Sequence, residues 1–295
     1  LVHMLTELGG IECEATITRL EQNLFYLLSA AVAELHDYDW LNQHLLPNEK
    51  VSIRNISNDY GVLVLSGPRS RDVLGKLTDS DLSNEAFRWM RAKTIKVSGI
   101  PVRALRVSYV GELGWELHHP IEKMEALYDS LMEAGVEYGI ANFGTYAMNS
   151  LRMEKAYKGW GSELTTEITP IEAGLERFVD FSKSFLGREA ALSRKLLGVN
   201  TKLVYVSVKT SDSDCLGNEP ALGPESTVSG GNIIGVTTGG AYGHTVGQSL
   251  AFAYVQPQYT EPGTKFDIRI LGKNCPATVL KDAVYDPDNL RLRDL

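Results

Sequence analysis

With 295 residues, 43% of them hydrophobic and 22% charged, the chain has the make-up of an ordinary soluble globular protein and is long enough for two compact domains or one large one. A formal net charge of −8 argues against a protein that tracks a nucleic-acid backbone with a basic stripe, although one or two arginines can still hold an anionic small ligand. No apolar run approaches the roughly 20 residues of a membrane helix. The longest, Leu24 to Ala33, leads straight into Glu34 and His36.

The opening residues, Leu1 to Thr6, lack the basic and apolar regions of a signal peptide, and the absence of an initiating Met suggests a piece of something longer. Cys13, Cys215 and Cys275 are odd in number, far apart and without CxxC spacing. They read as reduced thiols of an intracellular compartment, with neither a zinc site nor a disulfide framework. Residues 9 to 31 read as a β-hairpin: Gly9-Gly10 starts it, Ile11 to Leu20 alternates, residues 21 to 23 turn, and Leu24 to Leu28 returns. In that alternation Glu12, Glu14, Thr16 and Thr18 share a polar face, where Glu14 can be an ordinary solvated carboxylate or part of a site.

Ala33 to Leu46 reads as an amphipathic helix with Leu35, Tyr38, Leu41 and Leu45 on its stripe, closed by Pro47. Val51 to Ile56 and Gly61 to Leu65 read as strands. Ser66-Gly67-Pro68-Arg69 then opens a helix through Leu77, a turn that serves structure or, alternatively, anion binding. Leu105, Val107 and Tyr109 alternate with Arg106 and Ser108, and Trp115 to His118 repeats the alternation after Gly111 and Gly114. This predicts a hairpin whose Glu116 faces away from Trp115 and Leu117, into water or into a cavity. Ile121, Met124, Leu127 or Tyr128, and Leu131 mark a helix with Gly135 as its C-terminal cap. A further helix covers Thr145 to Tyr157, on which Met148 and Arg152 are neighbours.

From Leu203 on, short apolar runs at Leu203 to Val208, Asn232 to Thr238, Ser249 to Val255, Lys265 to Leu271 and Ala277 to Leu280 alternate with turns such as Ser229 to Asn232 and Leu271 to Asn274. That spacing predicts a small antiparallel barrel or sandwich. The expected organisation is an α+β region over 1–198, a β-barrel domain over 199–295, and a surface strap from Asp286 to Leu295. No dinucleotide fingerprint, Walker A loop, His-Glu-x-x-His or Gly-x-Ser-x-Gly elbow occurs, and the six histidines are dispersed. Chemistry here would fall to carboxylates and a bound organic cofactor.

Four ordered stretches carry a family resemblance. Tyr109-Val-Gly-Glu-Leu-Gly-Trp-Glu116 is similar to the Tyr-Thr-Gly-Glu-x-Gly-x-Glu hairpin of the aminomethyltransferase (glycine cleavage T-protein) family, in the variant of its dimethylglycine and sarcosine dehydrogenase branch. Asn142 to Lys155 resembles the family's Leu-Arg-x-Glu helix, Thr169 to Gly174 its Pro-x-Glu-Ala-Gly turn, and Phe185 to Glu189 its Phe-x-Gly-Arg segment. The resemblance implies a cloverleaf-like α+β folate-binding fold with a C-terminal antiparallel β-barrel. By motif matching Glu116 would bind the pterin's amino and ring N–H groups of tetrahydrofolate and Arg152 would approach the folate's anionic tail, with Tyr109, Glu112 and Trp160 completing the cofactor-binding set. Glu14 falls where the glycine cleavage proteins carry an acidic catalytic residue, usually Asp, and is one methylene longer.

The family usually has a further segment before the position matching Leu1, and its dehydrogenase branch an FAD-binding domain before that, so the resemblance implies the C-terminal part of such a protein, truncated at its start. The implied function is capture of the one-carbon unit released by oxidative demethylation of dimethylglycine or sarcosine, forming 5,10-methylenetetrahydrofolate, with the FAD domain as partner. A stand-alone aminomethyltransferase of glycine cleavage and a non-catalytic folate-binding regulatory relative are the alternatives. The compartment implied is the mitochondrial matrix in a eukaryote and the cytoplasm in a bacterium.

Overall fold

The computed structural model describes residues 1–224 and 232–293. The chain divides into two compact units, each assembled from separated stretches: the first from Leu1–Leu45 and Ala156–Val284, the second from Leu46–Lys155 and Tyr285–Leu295. In chain order the first stretch carries β1 (Val2–Leu5), β2 (Ile11–Glu21), β3 (Leu24–Leu28) and α1 (Glu34–Gln43). Next come β4 (Tyr60–Ser66), α2 (Ser70–Gly75), β5 (Ala92–Val97), β6 (Ile100–Leu105), β7 (Gly114–Pro120), α3 (Met124–Gly135) and α4 (Thr145–Glu154). The remainder holds α5 (Arg188–Leu197), β8 (Lys202–Val208), β9 (Pro220–Leu222), β10 (Ile233–Gly243), β11 (Gln248–Val255), β12 (Lys265–Ile270), β13 (Lys273–Val279) and α6 (Leu290–Arg293).

In the first unit β1, β2 and β3 form an antiparallel sheet in that order. The expected hairpin is present, and Gly10 at its start answers to a close approach: a Cβ there would lie 1.7 Å from the Thr166 carbonyl oxygen. The same turn receives the Ile11 N–H on the carbonyls of Thr165 and Ile168, each at 3.0 Å. Helix α1 departs from expectation in its buried face. Its buried residue is Asp37, while Leu35 is 74% exposed, because the face turned to β2 makes polar contacts through His36 and Asp37 rather than apolar ones through a leucine stripe.

The predicted β-rich region closes into a six-stranded antiparallel barrel in the order β10-β11-β8-β13-β12-β9. Strand β9, too short to show a pattern, completes it by pairing with both β10 and β12. Leu271 and Gly272, both with positive φ, form the two-residue turn between β12 and β13 that suits the twist of a hairpin. The turn expected at Ser229 to Asn232 lies, Asn232 apart, outside the described residues. Strand β11 is apolar from Leu250 to Val255 because it is covered on both faces. Ala251, Ala253 and Val255 line the barrel core, and Phe252 on the opposite face packs against Tyr205 with ring centroids 5.3 Å apart.

A polar clamp holds that outer face. Glu163 is fully buried; its carboxylate accepts from the Gly159 N–H at 2.7 Å, the Ser162 hydroxyl at 3.1 Å and the Thr238 hydroxyl of β10 at 2.7 Å. The Tyr254 hydroxyl donates to the Glu163 carbonyl at 2.7 Å, and burial, followed by the charges of Glu163 and Glu172, pushes this phenol's pKa up so that it stays a donor.

The second unit is a four-stranded antiparallel sheet, β4-β7-β6-β5, with Trp115, Leu117, Val102, Leu74, Leu127 and Leu131 among its core side chains. Three expectations change here. Residues 51–56 form no strand, and Arg54 in that segment is instead engaged with Asp59 at 2.8 Å. Helix α3 does contain Gly135, but with ordinary helical φ. The left-handed residue that ends the run is Gly139 at φ +71°, after a turn of 3₁₀ helix, and Gly135 is small because Ile140 packs where its Cβ would be. The strand expected through Tyr109 stops at Leu105, since Arg106 turns inward and donates to the carbonyls of Phe87 at 2.6 Å and Arg293 at 2.9 Å.

Glu163→Ala strands three donors in a buried site, each hydrogen bond to a charged acceptor being worth about 1.5–3 kcal/mol. The expected loss is about 3 kcal/mol or more of unfolding free energy, with Glu163→Gln intermediate, read by urea denaturation; a change within error of zero would refute the clamp.

Candidate functional site

In the second unit the register fixes which side chains share a face. Val64, Glu116 and Leu105 are paired across β4, β7 and β6, as are Val62, His118 and Arg103. Glu116 therefore faces away from the fully buried Trp115 and Leu117, and it is 32% exposed. Two residues on, the fully buried His118 presents Nε2 at 3.3 Å from Glu116 Oε2. A carboxylate only accepts, so the imidazole donates and holds the carboxylate's rotamer. Arg103, opposite His118, lies over the Tyr60 ring at 4.5 Å and adds positive charge to this face.

The loop between β6 and β7 carries Tyr109, about one-third exposed, and Glu112. The Glu112 carboxylate accepts a hydrogen bond from the Tyr285 hydroxyl, whose pKa is pushed up to about 12 by burial and by Glu112 itself. Beside it, the buried Lys155 ammonium donates to the Asp286 carbonyl at 2.5 Å and to Asn289 Oδ1 at 2.9 Å. Burial pushes the lysine's pKa down, while Asp286 and Glu112 hold it up. Gly111, at φ +78°, is the residue the lysine stem allows: a Cβ there would lie 2.3 Å from Lys155 Cγ. The final residues thus act as a strap that braces this loop. On α4, Arg152 is buried and its Nε donates to Asn149 Oδ1 at 2.9 Å.

The first unit holds the other two sequence-predicted residues. Trp160 is half-buried, and its indole N–H donates to the Glu12 carbonyl at 3.0 Å. Glu14 on β2 stands directly opposite His3 on β1, with Nε2 and Oε2 2.8 Å apart. Glu12, at the β-bulge that breaks the alternation expected to put it on one face with Glu14, is bound by His36 Nε2 at 2.7 Å, and His36 Nδ1 meets Asp37 Oδ1 at 3.0 Å. Two carboxylates on two ring nitrogens require an imidazolium. The bond to Asp37 raises its pKa, burial opposes that, and the bond and charge of Glu12 add to the rise. Cys13 lies under this cluster, its thiol pushed up to about 12 by burial and then by Asp37, Glu14 and Glu12, which makes it unreactive. Lys158 is pushed down by burial and by Arg177, and held up by Glu163 and Glu14, so its charge reaches Glu14.

Tyr109, Glu112, Glu116 and Arg152 therefore belong to one unit, and Glu14 and Trp160 to the other. Sequence reasoning did not reach His3, His36, Lys155, Glu163 or Tyr285. Only Lys155, directly after the Glu154 of the Leu-Arg-x-Glu helix, could have drawn attention by its place in the sequence. Glu116 has carboxylate oxygens that accept from N–H groups and Arg152 a guanidinium that donates to an anion, the chemistry that the pterin and carboxylate ends of a folate call for.

Because His36 has a folded-state pKa raised above 6.5, its contribution to stability is full below that value and is lost as pH rises through the folded-state pKa. The Tm difference between the wild type and His36→Gln should be larger at about pH 6 than at about pH 9, measured by thermal unfolding in matched buffers. An equal difference at both would refute the imidazolium.

Residues 1–183 match the family model of the GCVT N-terminal domain, and residues 202–286 match that of the glycine cleavage T-protein C-terminal barrel domain. The mitochondrial dimethylglycine dehydrogenase of Homo sapiens is 43% identical over 99% of this chain, which spans only about a third, 34%, of that protein. An aminomethyltransferase of Thermoanaerobacter sp. (strain X514) is 31% identical over 94% of this chain and 73% of its own length. The crystal structure of glycine cleavage system aminomethyltransferase T from Bartonella henselae superposes with a TM-score of 0.83 at 25% identity, covering 97% of this chain and 75% of that one. By its two domain matches and these relatives, the chain belongs to the glycine cleavage T-protein (aminomethyltransferase) family.

Proposed function

We propose that this chain is a tetrahydrofolate-binding one-carbon transfer module that captures the unit released when an N-methyl amine, dimethylglycine or sarcosine, is oxidatively demethylated. The observation that carries the reading is Glu116: a carboxylate turned out of the core between two fully buried neighbours, and held in place by a buried histidine. An ordinary solvated glutamate needs no such support. When bound, tetrahydrofolate supplies two amine nitrogens, N5 and N10, as acceptors of the one-carbon unit in 5,10-methylenetetrahydrofolate.

In this reading Glu116 accepts from the pterin's amino and ring N–H groups, and Arg152 attracts the anionic tail. Tyr109 supplies aromatic surface, and Glu112 keeps the loop in shape through Tyr285. Glu14 moves a proton at its carboxylate and stabilises developing positive charge. The oxidation itself belongs, in the same reading, to an FAD-dependent dehydrogenase domain of the same polypeptide. The share of the dehydrogenase relative that this chain spans supports that division. The compartment would be the mitochondrial matrix in a eukaryote and the cytoplasm in a bacterium.

Anaerobic calorimetric titration with tetrahydrofolate tests the proposal. The wild type should bind saturably, and Glu116→Ala should weaken binding by about 10- to 100-fold, the equivalent of one charge-assisted hydrogen bond at about 1.5–3 kcal/mol. Absence of binding by the wild type, or equal affinity in the variant, would overturn it.

A further inference from the structure

Glu14 and the aspartate usual at this position in the family differ by one methylene, and therefore by one rotatable bond. A longer carboxylate samples more rotamers, and one that must act at a fixed point loses rate when it wanders; a displacement of about 1 Å can cost on the order of 100-fold. The structure provides a restraint on that extra freedom. β1 runs antiparallel to β2, with His3 and Glu14 as direct partners, and the two side chains meet at 2.8 Å between Nε2 and Oε2. Both are mostly shielded, with 18% and 22% of their side chains exposed, so the contact does not compete with bulk water as a surface pair does.

Among the described residues no other group hydrogen-bonds the Glu14 carboxylate, which leaves Oε1 open while Oε2 is held. Glu12, two residues away at a β-bulge, is committed differently: its carboxylate is taken by His36 and its carbonyl by Trp160. These two acidic residues of β2 thus have separate imidazoles, one closing a structural bridge to α1 and the other leaving an oxygen available.

We infer that His3 is a positioning residue for Glu14: it donates from Nε2 to Oε2, fixes the side chain in one rotamer, and reserves Oε1 for proton transfer during one-carbon capture. The inference rests on the transfer function proposed above, and it explains how a glutamate serves at a position where the family usually has the shorter acid.

Two measurements test it. The first needs no folate. Long-range 1H–15N spectra of the whole chain, labelled at histidine, should find His3 Nε2 protonated in the wild type and its shift moved in Glu14→Ala. An unprotonated Nε2, or a shift indifferent to Glu14→Ala, would overturn the inference.

The second reads formation of 5,10-methylenetetrahydrofolate from formaldehyde and tetrahydrofolate, above the uncatalysed background, alongside calorimetric affinity. His3→Ala should lower kcat by about tenfold with the tetrahydrofolate Kd unchanged, His3→Gln should recover most of that loss, and His3→Ala with Glu14→Ala should be no slower than Glu14→Ala alone. Losses that multiply, or an unaltered kcat in His3→Ala, would overturn it. A wild type that fails to bind tetrahydrofolate would instead sink the proposed function, while the spectra would still decide whether His3 orients Glu14.

Discussion

A buried carboxylate is tolerated only when its oxygens are filled, and in the first unit much depends on how Glu163 meets that condition. Its three donors come from Gly159, Ser162 and Thr238, and Tyr254 binds its carbonyl, so one residue ties the connecting segment 159–164 to two barrel strands. With that segment fixed, the Trp160 indole reaches the Glu12 carbonyl and holds β2 near its buried end. Lys155 has the corresponding role in the second unit, where a shielded ammonium draws Asp286 and Asn289 onto the loop that leads into β7.

Around these anchors, four glutamates show how partners decide what a carboxylate can do. Glu163 is saturated and structural. Glu12 is bridged to an imidazolium that also binds Asp37 and belongs to the packing of α1. Glu112 is occupied by Tyr285. Glu116 is held by one histidine yet still faces outward, the combination a binding residue needs: a fixed direction with acceptor capacity to spare. Residue type is the same in all four, and only their surroundings separate them.

Those surroundings explain what could be read in advance. The hairpin of β2 and β3 was legible because its alternation and turn are local, and the barrel strands because inward and outward positions differ every second residue. The direction of Glu116 followed from the same period, with Trp115 and Leu117 as its guides. Strand β1 was invisible because four residues carry no period, and with it went His3, whose meaning depends on a partner eleven positions away. The site's other supports are more distant still, Tyr285 lying 173 positions from Glu112. Leu35 promised a buried stripe that α1 does not have, since hydrophobic spacing cannot show that a neighbouring strand offers a carboxylate instead of a methyl group. Gly135 was read as the cap, yet it keeps a helical φ with Ile140 packed where a Cβ would be, and the left-handed residue is Gly139.

The discontinuous make-up of the two units bears on how the protein is made. The apolar core of the second unit lies between Leu65 and Leu131, so it can collapse as a block while the rest of the chain is still on the ribosome. The sheet of β1, β2 and β3 has no such option, because Leu164 and Ala173, which complete its small core with Leu5 and Ile11, are translated only after the whole of 46–155. At about 5–20 residues per second that delay is on the order of ten seconds, during which Leu5 and Ile11 lack the side chains that complete their core. A strand rich in apolar residues and waiting that long is a natural client for chaperones that bind nascent chains. Synthesis rate across the middle of the message then becomes a variable in the yield of folded protein.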